Sequence, residues 1–76
     1  DLAAQRLARV KAPTLLIVGG RDVRVLELNE RARARLLCPS RLEVVPGATH
    51  LFEEPGTLEG AAALARDWFV RYLVPA

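Results

Sequence analysis

The spacing of apolar and polar residues shifts repeatedly along the chain, and each shift marks a predicted element. From Asp1 to Val10, Ala3, Leu7 and Val10 recur on one helical face with Gln5, Arg6 and Arg9 off it, a short helical stretch closed by Pro13. Thr14 to Val18 is a continuous apolar run, Leu15-Leu16-Ile17-Val18, ended by Gly19 and Gly20. Such a run suits a strand covered on both faces in a parallel sheet. Helical spacing then returns. Val25, Leu28, Ala32 and Leu36 share a narrow arc that excludes Glu27, Glu30, Arg31, Arg33 and Arg35, which predicts a one-faced helix over 25–37 stopped by Pro39. Leu42, Val44 and Val45 form a second short strand closed by Pro46 and Gly47, and a polar loop follows over 47–56. Finally, Leu58, Ala61, Ala62, Ala65, Phe69, Tyr72 and Leu73 share a face of the longest predicted helix, with Glu59, Arg66 and Asp67 away from its centre and Pro75 beyond its end.

The order helix, strand, helix, strand, helix predicts an α/β fold in which a right-handed crossover joins two parallel strands and helices flank them. Two strands alone make a poor sheet, because each leaves one row of backbone groups unpaired. Residues 1–76 are therefore read as a single partial domain, one end of a larger sheet. Composition agrees: 51% of the 76 residues are apolar and 26% charged, which is globular and leaves room for one small core. The net charge is only +2, with acidic residues spread among the arginines, so nucleic acid is not an expected partner. No apolar run approaches the ~20 residues of a membrane span, and the N-terminus lacks the regions of a signal peptide. Cys38 is the only cysteine and cannot form an internal disulfide, which makes a cytoplasmic location the default expectation.

In a parallel pair the loops leaving both C-terminal ends emerge on one edge, where open α/β sheets carry their sites. Those loops hold Asp22 and His50. Adjacent strands lie ~4.8 Å apart, so a carboxylate shortly after one strand can meet an imidazole shortly after the next. Asp22 accepting from His50 Nδ1 would fix the tautomer, leave Nε2 free to take a proton and stabilise the resulting imidazolium. Gly19 and Gly20 fit this plan by letting the backbone turn sharply off the strand. Residue by residue, the same positions also fit a turn aspartate and a loop histidine without a role.

Other groupings point to less. His50, Glu53, Glu54 and Asp22 do not have the H-E-x-x-H spacing of a helical metal site, so no metal is expected. Glu53 and Glu54 are read as negative charge at the positive end of the last helix, and Thr49 as a loop hydrogen-bonder. Gly19-Gly20 lacks the full G-x-G-x-x-G phosphate pattern. Arg31, Arg33 and Arg35 fan around their helix as a solvated face, and Trp68 is a packing residue.

The run Ala12-Pro13-Thr14-Leu15-Leu16-Ile17-Val18-Gly19-Gly20-Arg21-Asp22, with Pro46-Gly47-Ala48-Thr49-His50-Leu51-Phe52-Glu53-Glu54-Pro55-Gly56, resembles the C-terminal part of α/β-hydrolases of the dienelactone hydrolase-like group. The resemblance covers nearly the whole chain. It implies the C-terminal β-α-β-α portion of an α/β-hydrolase fold, with Asp22 as triad acid and His50 as triad base. It further implies a Ser-Asp-His cleavage of a small-molecule ester or lactone, with no cofactor. The chain departs from the pattern in one respect: no G-x-S-x-G is present and the only serine is Ser40. Ser40 opens the second strand, about 16 Å from the edge that carries His50, and Cys38 fails by the same geometry. The nucleophile and oxyanion donors are thus expected in an N-terminal part of the hydrolase outside these residues, and the chain alone is expected to be inert. The alternative is a non-catalytic α/β module whose exposed strand edges pair with a partner or with a second copy in a homo-oligomer.

Overall fold

A computed structural model describes residues 2–73, with the side chains of Ala3 and Ala4 excepted. The expectations that rest on Asp1, Pro75 and the side chain of Ala3 lie outside the described residues. The elements run α1 (Leu2–Leu7), β1 (Thr14–Gly19), α2 (Val23–Arg35), β2 (Ser40–Val45) and α3 (Thr57–Leu73). β1 and β2 pair in parallel and in step, from Thr14 opposite Ser40 to Gly19 opposite Val45. Since both strands end at the same level, the segments that follow them leave side by side.

α1 is shorter than its periodicity predicts. After Leu7 the chain unwinds through a turn in which Arg9 N–H donates to Arg6 and Val10 N–H to Leu7. Pro13 disfavours a helical conformation at Ala12, and the Thr14 hydroxyl donates to the Ala12 carbonyl at 2.9 Å as the chain enters β1. α2 begins and ends two residues before the predicted 25–37. Asp22 takes the N-cap position, and Leu36 is already extended (φ −75°, ψ 130°) three residues ahead of Pro39. Arg33 and Arg35 fall in the last turn, where positive charge meets the negative end of the dipole.

The helices take opposite faces of the strand pair. Leu15, Ile17, Arg41 and Glu43 line shallow recesses with Leu64, Ala65 and Trp68, so α3 lies on that face. Alternation along the strands sends Leu16, Val18 and Leu42 the other way. α2 contacts both strands yet does not touch α3, which places it there. Val18 (3% exposed) and Trp68 (8%) are the buried anchors of the two layers, joined by Val45 and Ala48.

Two helix faces differ from those predicted. On α2, Leu28 is exposed, while Leu26 and Asn29 share the inward side with Val25 and Ala32, the Asn29 amide donating to the Val25 carbonyl. On α3 the inward stripe is Thr57, Gly60, Ala61, Leu64, Ala65, Trp68 and Tyr72, which leaves Leu58, Ala62, Phe69 and Leu73 outside. Apolar residues occupy both sides of this helix, and the largest ring decides which side packs: Trp68 sits on the sheet, its ring 4.4 Å from that of Tyr72. The surface totals 5657 Å², against about 4,600 Å² for a compact monomer of this mass. Among the described residues no helix is long and apolar enough to cross a membrane.

Candidate active site

The strand ladder continues past both strand ends. Gly20 N–H donates to Val45 C=O and Arg21 N–H to Ala48 C=O, each at 2.9 Å, while Asp22 N–H closes a turn onto Gly19 C=O. These bonds lay the segment after β2 directly against the segment after β1. Gly19 permits the approach: a Cβ there would strike the Ala48 carbonyl oxygen and stand 2.6 Å from that of Thr49. Its glycine is thus required for close backbone contact, while the left-handed turn is made by Gly47 (φ 75°). Ala48 is fully buried where the two segments meet.

From this junction Asp22 and His50 project to one rim, with His50 Nδ1 3.2 Å from Asp22 Oδ2. The His50 side chain is 67% exposed and that of Asp22 21%. Asp22 stands at the N-terminus of α2, whose dipole favours a carboxylate there, and its carbonyl accepts from Leu26 N–H. Yet its side chain makes no capping bond. The carboxylate that would ordinarily cap the helix is turned to the imidazole. With Nδ1 facing a carboxylate, the neutral ring carries its proton on Nδ1 and presents Nε2 as a base. The pair can therefore accept a proton and stabilise the cation that results.

The other groups considered from the sequence do not join this pair. Ser40 is the first residue of β2, at the far end of the sheet, and Cys38 Sγ lies 3.7 Å from the Thr14 hydroxyl at that same end. Among the described residues no three His, Cys, Asp or Glu side chains cluster as a metal site. Thr49 is a loop hydrogen-bonder, as read, but its partner is Glu54: the Thr49 N–H and hydroxyl each donate to one Glu54 carboxylate oxygen at 3.0 Å. Glu54 stands at the approach to α3, three residues before Thr57, as its sequence position implied, and in addition its carboxylate is spent on the His50 loop. Its carboxyl is held below the ordinary carboxylate range, chiefly by the Thr49 N–H, then by its own backbone N–H, with the Thr49 hydroxyl and the Arg21 charge adding to outweigh desolvation. No sequence signal pointed to this contact, since a Thr and a Glu five residues apart in a loop have no characteristic spacing.

No family model matches the chain. Two proteins of Mycobacterium tuberculosis, from strains CDC 1551 and H37Rv and provisionally named phosphoribosyl transferase, are each 66% identical over 73 residues. That stretch is 96% of this chain but 16% of either relative. The crystal structure of dienelactone hydrolase from Anabaena variabilis is 54% identical with a TM-score of 0.89, over 95% of this chain and 33% of that one.

Proposed function

We propose, from the premise that this chain is in sequence and fold a C-terminal segment of an α/β-hydrolase of the dienelactone hydrolase-like group, that it supplies the acid and base of a Ser-Asp-His triad cleaving ester or lactone-type bonds. The observation that carries the reading is the contact of His50 Nδ1 with the Asp22 carboxylate on an open rim. His50 Nε2 takes the proton from a serine hydroxyl elsewhere in the hydrolase as that oxygen attacks the substrate carbonyl. The imidazolium, held by Asp22, returns the proton to the leaving oxygen. Water then releases the acyl group through the same base. The reaction needs no metal or organic cofactor, and its substrate is a small ester or lactone.

The M. tuberculosis relatives carry the name of a different activity, a phosphoribosyl transferase. The matched stretch is half as large a share of those proteins as of the dienelactone hydrolase, so they are about twice its length. The transferase name belongs to the whole of those proteins, of which the matched stretch is 16%. Within this chain the rim carries Asp22, which would repel a phosphate, and no glycine-rich phosphate loop.

The test joins the chain to the preceding hydrolase sequence and follows cleavage of an aryl ester. His50→Ala is expected to lower kcat by about a thousandfold or more; turnover equal to the parent would eliminate the assignment. The exposed α3 residues Leu58, Phe69 and Leu73 favour a second reading, an association module. A concentration-independent monomer in sedimentation, with no unfolding, would exclude obligate pairing of that kind.

A further inference from the structure

The loop that carries His50 is closed by a side chain for which the proposed chemistry has no use. Glu54 grips Thr49 with both carboxylate oxygens, one on the backbone N–H and one on the hydroxyl. Thr49 directly precedes His50, and this two-point hold fixes both the Ala48–Thr49 peptide plane and the rotation of the Thr49 side chain, one residue before the base. The other end of the ring is anchored in turn. The Glu54 carbonyl accepts from the Thr57 hydroxyl at 2.7 Å and the Thr57 N–H at 3.1 Å, and Thr57 is buried at the first residue of α3. Inside the ring, Phe52 N–H donates to the Thr49 carbonyl, and Phe52 takes a left-handed conformation (φ 52°) that a side chain tolerates only where its surroundings impose it.

Among the described residues, packing does little to orient the base. The His50 side chain is 67% exposed and its neighbour Leu51 62%, so little apolar surface confines either. What remains is the Asp22 contact and the course of the backbone. We propose that Glu54 is a positioning residue for the base: by holding Thr49 it keeps the His50 ring where Nδ1 meets Asp22, without touching the reacting atoms. The proposal rests on the reading of His50 as the base. The ionised form suits this task, because both Thr49 groups donate and a carboxylate accepts at both oxygens, whereas a carboxamide would turn a donor toward one of them. Arg21, on the loop after β1, adds positive charge on the same side.

The test is made in the complete hydrolase, by steady-state ester cleavage across neutral pH, with folding of each variant checked by circular dichroism. Glu54→Ala is expected to lower kcat about tenfold to a hundredfold with KM within about twofold, as befits a misplaced base. The pH limb assigned to His50 moves with it. Glu54→Gln keeps one acceptor and recovers part of the loss, and Thr49→Val, which keeps the N–H bond alone, loses less than Glu54→Ala. Glu53→Gln, at the exposed neighbouring carboxylate, leaves all parameters unchanged. Parental kcat and pH limb in Glu54→Ala, in an enzyme that His50→Ala inactivates, would overturn the positioning role and leave the base assigned. Should Glu54→Ala not fold, parental kcat in both Glu54→Gln and Thr49→Val overturns it equally. An active His50→Ala enzyme overturns the underlying reading, and the positioning role with it.

Discussion

The two loops that meet at the rim are held by different means. The loop after β1 is three residues long, its N–H groups are spent on backbone carbonyls, and its carboxylate is mostly buried. The loop after β2 runs from Pro46 to Gly56, and its ring is closed by one ionisable side chain, Glu54. Asp22 is thus placed by the sheet itself, whereas His50 is placed by a side-chain brace. The acid should tolerate changes at the loop surface, and the base should be the member that conditions and mutations disturb.

Replacing the member that the sheet holds gives the largest expected effect. Asp22→Asn keeps the shape but offers Nδ1 an amide, and kcat for ester cleavage in the complete hydrolase should fall about 10³- to 10⁴-fold. Stopped turnover with unchanged thermal stability would show that this carboxylate serves chemistry and not folding. Next comes the contact the loops share. Gly19→Ala forces a methyl against the Ala48 and Thr49 carbonyls, and denaturant titration should show a loss of about 3 kcal/mol. Stability equal to the parent would mean that the loops do not need to touch.

Smaller effects separate the loops. Thr57→Val removes the hydroxyl that anchors Glu54 and should cost about 1 kcal/mol, while amide exchange speeds up over 49–54 and not at Gly20 or Arg21. Equal acceleration in both loops would contradict a separate side-chain hold on the second loop. The mildest test is acid. Glu54 is held below its ordinary range in the fold, so its contribution is fully present above the unfolded carboxylate's value and is lost as pH falls through the lowered one. The stability gap between the parent and Glu54→Gln should therefore narrow on acidification. A gap constant with pH would disconnect the brace from ionisation.

Much of this arrangement was legible in the chain. The run Leu15 to Val18 and the pair Val44-Val45 placed both strands, because β-rich stretches bounded by Gly and Pro leave few alternatives. Strand parallelism put Asp22 and His50 on one edge, whereas their reading as acid and base came with the family resemblance. The α2 boundary was not legible, because Asp22 holds a capping position without capping, a choice made by a distant imidazole. Nor was the α3 face, where Leu58, Phe69 and Leu73 compete with Leu64 and Trp68, and only the sheet decides. Glu54 was hidden for a similar reason: its role depends on how a loop closes, and loop closure has no period.

The bond from Arg21 to the Ala48 carbonyl couples the acid's turn to the base's turn. It ties the two turns at one backbone point, close to where Asp22 and His50 meet. A substrate pocket built around this rim could be remodelled through many mutations while the relay inside it kept its spacing.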